Sequence, residues 1–80
     1  MAGKHRGLAV PRVMAWRLER ALTQQELAEL AHVSRNTVAR AERGEPVAVA
    51  NVRKLAGALG ITVSQLLHQD PGNMKMKGAA

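Results

Sequence analysis

Residues 23–44 read TQQELAELAHVSRNTVARAERG, and the fold turns on how this stretch is read. It holds two helix starts eleven residues apart, a short break between the helices, and a glycine stop. Thr23, with Glu26 three residues on, makes a capping box: the hydroxyl accepts from the N3 amide and the carboxylate accepts from the cap amide. Leu27, Leu30 and Ala31 recur at helical spacing and are expected to share a buried face. After His32-Val33, Ser34 offers a second N-cap. The helix it opens is expected to turn Val38 and Ala41 inward and Arg35, Asn36, Arg40 and Arg43 outward, until Gly44 supplies a C′ residue. Two short helices with an abrupt joint, the second studded with guanidinium and amide groups, predict a helix-turn-helix.

Upstream of this stretch, Pro11 suits a first helical turn, and helix formers run from there to Leu22. Two apolar stripes compete on that first helix: Val13, Trp16 and the Arg20 stem, or Met14, Leu18, Ala21 and Leu22. Downstream, Glu45-Pro46 breaks the helical path. Val47-Ala48-Val49-Ala50 alternates like a strand, but it is too short and is expected to have no partner strand anywhere, so it reads as the approach to a fourth helix. That helix runs to Leu59 with Val52, Leu55, Ala56 and Leu59 inward, although Ala48 is a poor cap and Gly57 costs about 1 kcal/mol against Ala. Gly60 ends it, and a short fifth helix capped by Thr62 follows. The expectation is an all-α, compact five-helix bundle over residues 10–68, with a flexible basic arm at 1–9 and a flexible basic tail at 69–80.

Eighty residues make one small domain whose core, with one Trp and no Phe or Tyr, must be close-packed and thin. The scarcity of aromatics argues against modules that stack bases on rings. A net charge of +6 biases so small a protein toward polyanions, nucleic acid first and acidic membrane second; the plainer alternative is that the charge only keeps it soluble. With no cysteine there is no disulfide framework and no thiolate ligand. His5, His32 and His68 lie far apart without a carboxylate pattern, so no metal, no cofactor and no catalytic centre is expected, and an enzyme is the least favoured class. No stretch approaches the roughly 20 apolar residues of a membrane span. A soluble, cytoplasmic and nucleoid-associated protein without a membrane partner is expected.

The chain resembles the Cro and phage-repressor type of helix-turn-helix, the xenobiotic-response-element (XRE) family, from about Val13 to Leu67. The carriers are WR at 16–17, LTQQELA at 22–28, VS at 33–34, TV at 37–38, ERG at 42–44 and ALGITVSQLL at 58–67. The resemblance implies a lambda-repressor-like bundle whose third helix enters the major groove of double-stranded DNA, usually as part of a homodimer. It also favours Val13 and Trp16 as the buried stripe of the first helix. Two departures stand out: His32 occupies a turn position where the family usually has glycine, and Glu45 follows Gly44 where basic residues are common.

Candidate contacts follow from chemistry and resemblance together. Gln24 and Gln25 sit in the first turn of the second helix, where free amides and the helix dipole favour an anion. The resemblance assigns Gln24 to a DNA phosphate, and Ser34, Thr37 and Arg43 join the phosphate set. Asn36 and Arg40, four residues apart, share a face flanked by Arg35 and Ala39. Arg pairs bidentately with guanine and Asn with adenine, and positions 35, 36 and 40 match those from which the family reads bases. Ala39 offers a methyl-sized apolar contact. The competing reading of this face is an ordinary solvated surface. Glu42, four residues after Val38, turns inward and needs a partner; the resemblance names Arg17, giving a structural salt bridge. Leu66, Leu67 and neighbouring apolar residues near the fifth helix are the expected dimer contact. The resulting expectation is a sequence-specific DNA-binding transcriptional regulator on a palindromic operator. The second reading is an antitoxin-like or other protein-interaction module on the same fold.

Overall fold

The computed structural model describes residues 7–71, and these fold into five helices. They are α1 (Val13–Glu19), α2 (Gln24–Ala31), α3 (Arg35–Glu42), α4 (Val49–Leu59) and α5 (Val63–His68). Helix α2 packs against both α3 and α4, α1 lies across α3 and α4, and α5 closes on α4. The all-α bundle and the helix-turn-helix at α2 and α3 are as expected. Lys4, His5 and Arg6 of the basic arm, and the tail beyond residue 71, lie outside the described residues.

The helix starts follow side-chain chemistry. Thr23 and Glu26 form the full capping box, with Thr23 Oγ1 accepting from the Glu26 amide at 3.0 Å and Glu26 Oε1 accepting from the Thr23 amide at 2.8 Å. Ser34 Oγ accepts from the Thr37 amide at 3.0 Å, and Thr62 caps α5 in a second box with Gln65. Ala48 gives α4 no side-chain cap, as its chemistry requires.

The helix stops share one geometry. After α1, α2, α3 and α4 the chain enters the left-handed region at Ala21 (φ 55°), His32 (φ 60°), Gly44 (φ 83°) and Gly60 (φ 75°). At each, the next residue's amide donates back to the helix's last turn: Leu22 to Arg17 O, Val33 to Ala28 O, Glu45 to Arg40 O and Ile61 to Ala56 O, at 3.0–3.1 Å. These are Schellman motifs. Two of the four lack the glycine that makes this conformation cheap.

The first helix is shorter than the expected run from Pro11 to Leu22. Pro11 and Arg12 form a turn ahead of it, and the helix ends at Glu19. The cause lies downstream: Thr23 must be extended (φ −80°, ψ 166°) to cap α2, so the chain has to leave α1 within a few residues. Of the two competing stripes, Val13 and Trp16 are buried, whereas Met14 and Leu18 are 44% and 55% exposed. The Arg20 guanidinium lies 5.2 Å from the Trp16 ring centroid, and the buried indole donates to Gln69 O at 3.0 Å.

Three further expectations need correction. Leu30 is 56% exposed rather than sharing the buried face, because the arc of α2 that meets the core runs from Leu27 through Ala31 to Ala28, and Leu30 lies outside it on the Leu27 side. Val47 does have an extended partner: Leu8 donates to Val47 O at 2.8 Å and Val47 donates to Leu8 O at 3.0 Å, an antiparallel bridge inside the segment read as a free arm. This bridge fixes the approach to the uncapped α4. Leu66 is fully buried in the core with Leu27, Leu55 and Leu59, so it is not available as a dimer contact. Val52, Leu55, Ala56 and Leu59 line the inner face of α4 as expected.

Candidate nucleic-acid interface

The joint between α2 and α3 is three residues long: His32 turns left-handed, Val33 packs partly against the core, and Ser34 is extended as the cap of α3. Ser34 Oγ also lies 2.9 Å from Thr37 Oγ1, so both hydroxyls are engaged at the start of α3. Substituting His32 with Gly removes the steric penalty of the left-handed backbone, partly offset by the entropy glycine loses on folding. We expect His32→Gly to raise the unfolding free energy by about 0.5–1 kcal/mol, read from denaturant midpoints at constant slope. An unchanged midpoint would show that the imidazole contributes as much as the backbone strain costs.

On α3, Val38 and Ala41 are fully buried, while Arg35, Asn36, Arg40 and Arg43 are exposed and Ala39 is half-buried. The exposed face therefore presents the predicted base-reading set together. The side chains of Arg35 and Asn36 make no hydrogen bond or ion pair among the described residues, and no acidic residue occupies the first turn of α3. Arg40 and Arg43 are different. Glu45 accepts from Arg40 Nε at 3.1 Å through one oxygen and from Arg43 Nε at 2.9 Å through the other. Hydrogen bonds from Arg43, then from Arg40, hold the Glu45 carboxyl below its ordinary value. Because its folded value is depressed, the contact is fully formed at neutral pH and fades as acid protonates the carboxylate.

The inner end of α3 is held by charge. Glu42 accepts from Arg17 Nε at 2.5 Å through Oε2 and from Arg17 Nη2 at 3.1 Å through Oε1. Its Oε1 also accepts from Gln24 Nε2 at 2.9 Å, and Arg17 Nη1 donates to Leu22 O at 2.7 Å. The two charged side chains are only 10% and 7% exposed. The inward carboxylate thus finds its expected partner. Among the described residues, no buried side-chain nitrogen or oxygen lacks a hydrogen bond. The network joins the end of α1, the first residue of α2 and the last residue of α3, so it fixes the angle at which α3 is presented.

Gln24 is therefore half-buried and already bonded, with one amide proton beyond the bond to Glu42. Gln25 donates to Glu29 at 3.0 Å one turn on. Sequence reasoning missed the Gln24–Glu42 bond and the sharing of Glu45 between two arginines. It also missed Arg12, which donates to Leu67 O at 2.9 Å and pairs with Asp70 at 3.2 Å. The only signal in the sequence was the out-of-place acid at Glu45, two residues from Arg43 and five from Arg40. No group of three or more His, Asp or Glu side chains able to hold a metal ion occurs among the described residues.

A two-helix unit braced this way, with its second helix offering exposed cationic and amide groups, defines a helix-turn-helix protein. The helix-turn-helix family profile matches residues 13–66, and the chain belongs to that family, in its Cro-repressor (XRE) form. It is a DNA-binding regulator rather than an enzyme. Solved structures agree. The hypothetical transcription factor NHTF from Neisseria shares 31% identity at a TM-score of 0.69, over 85% of this chain and 82% of its own. The restriction-modification controller protein C.AhdI from Aeromonas hydrophila shares 35% at 0.67, over 72% of this chain and 94% of its own. The clp gene regulator ClgR from Corynebacterium glutamicum shares 29% at 0.69, over 89% and 78%. No curated protein matches the chain.

Proposed function

We propose that the protein is a sequence-specific transcriptional regulator that inserts α3 into the DNA major groove, as a homodimer on a palindromic operator. The observation that carries this reading is the pair Arg35 and Asn36: exposed, with side chains unpartnered among the described residues, on a helix tied to α1 by the buried Arg17–Glu42 pair. Side chains with free donors and little else to bond are suited to base edges. Arg35, Asn36 and Arg40 read bases, with Ala39 offering an apolar contact. Gln24 and Gln25, through their remaining amide protons and the backbone of the first turn of α2, take phosphates with Ser34, Thr37 and Arg43. Controllers and regulators among the similar structures support the regulatory role.

A dimer is part of the proposal because one module buries only about 600–1,000 Å² on DNA. Since Leu66 is in the core, its surface would draw on the half-buried Ile61, Val63 and Leu67 around α5. The site of action is the nucleoid. No helix among the described residues is long and apolar enough to cross a membrane.

Selection of bound sequences from random DNA, followed by a salt titration, tests the reading. We expect two half-sites about one helical turn apart. Affinity should fall about tenfold or more between 50 and 200 mM salt, as for the two phosphates that Arg43 of each subunit neutralises. Recovery of unselected sequence would sink it.

A further inference from the structure

Glu45 is an acid on a surface otherwise suited to phosphates. Its contacts are with exposed partners: Arg40 and Arg43 are 45% and 56% exposed and Glu45 itself 44%. Exposed pairs of this kind add little to folding stability, so the arrangement calls for another explanation. The geometry at Arg40 supplies one. Nε donates to Glu45 Oε1 at 3.1 Å and Nη2 donates to Pro46 O at 3.4 Å. A guanidinium carries five N–H donors in a rigid planar fork, so the Nη1 protons and the second Nη2 proton remain free. These form the end-on fork, the edge suited to the two acceptors of a guanine.

Resting on the regulatory reading above, we propose that Glu45 is a positioning residue for specificity. It holds Arg40 by its inner edge so that only the end-on fork meets the base pair. Its charge also offsets the pull of Arg40 and Arg43 on any phosphate. Both effects act in the same direction, raising the ratio of specific to non-specific binding. An arginine free of the clamp has more rotamers and reaches phosphates of every sequence, which strengthens binding without selecting a site. The carboxylate is ionised at neutral pH, its proton affinity lowered by the same two guanidinium groups.

The test uses the full chain and three duplexes: the selected site, the same site altered at one base pair, and unrelated DNA. The altered pair is the one whose preference disappears in Arg40→Ala. We expect wild type to discriminate against the change by about tenfold or more. In Glu45→Ala that factor should fall to about threefold or less, while binding to unrelated DNA strengthens about threefold. Glu45→Gln keeps an acceptor oxygen without the charge, so it should recover most of the discrimination yet keep the stronger binding to unrelated DNA. A structural role would predict neither this split nor the rescue. Unchanged discrimination in Glu45→Ala, with or without tighter binding, overturns the proposal and leaves the regulatory reading intact; Glu45 would then merely mask two cations. Loss of no base preference in Arg40→Ala overturns it as well. If wild type prefers no sequence at all, the regulatory reading fails and the proposal fails with it.

Discussion

Glu42→Ala is expected to lose about 3–5 kcal/mol of stability, because it leaves the Arg17 guanidinium buried beside an empty acceptor site. A domain of this size has only about 3–10 kcal/mol in hand, so the loss takes from about a third of that margin to all of it. Gln24 loses its partner in the same variant. Far-UV circular dichroism during urea titration reads the effect directly. The double variant Arg17→Met with Glu42→Leu separates the cost of an orphaned charge from the worth of the pair. Filling the same space with apolar side chains should recover most of the loss, since a buried pair and well-packed hydrophobes are often near equal. A loss under about 1 kcal/mol in the single variant would mean that the pair behaves as an exposed one.

Arg35→Ala and Asn36→Ala are expected to do the opposite: leave folding alone and damage recognition. Both side chains are exposed and unbonded among the described residues, and surface substitutions of this type change stability by about 0.5 kcal/mol or less. If each reads a base, its removal lowers discrimination at one base pair by about 5- to 150-fold, the range of a good bidentate contact. The two should differ in their salt response. Removing the neutral amide of Asn36 leaves the slope of affinity against salt unchanged, whereas removing the Arg35 charge lowers the slope if that charge also displaces a counterion. Fluorescence anisotropy on selected and altered duplexes, with melting curves alongside, distinguishes these outcomes. Equal binding of every sequence by wild type and both variants would remove α3 from the role of reader.

The parts of the structure legible in the sequence are those governed by one side chain acting on its own neighbours. Thr23, Ser34 and Thr62 announce helix starts because a hydroxyl at that position satisfies a nearby amide. Gly44 and Gly60 announce stops because the backbone there must turn left-handed. Ala21 announces nothing. Alanine favours helix, and its left-handed conformation is imposed by the extended Thr23 two residues later. Leu30 looked buried because three apolar residues at helical spacing define a face only to within one position. The small Ala28 decides which side of that face meets the core.

Contacts between distant parts were harder to read. The Leu8–Val47 bridge joins a short alternating segment at 47–50 to one around Leu8 with no strand signal of its own, so the pairing could not be inferred from either alone. Arg17–Glu42 was accessible because an inward carboxylate demands a counterion and the family supplies its position. The division of Glu45 between Arg40 and Arg43 depends on how the chain folds back after Gly44, which no spacing rule specifies.

The non-glycine stops at Ala21 and His32 stand at opposite ends of α2, at φ 55° and φ 60°. Neither residue contacts the other's helix stop through a shared hydrogen bond, so relieving both strains should be nearly additive. In a domain this small each kilocalorie shifts the melting temperature by about 4–8 °C. The protein therefore carries an unused reserve of heat tolerance: a glycine at each of these two positions would raise its working temperature.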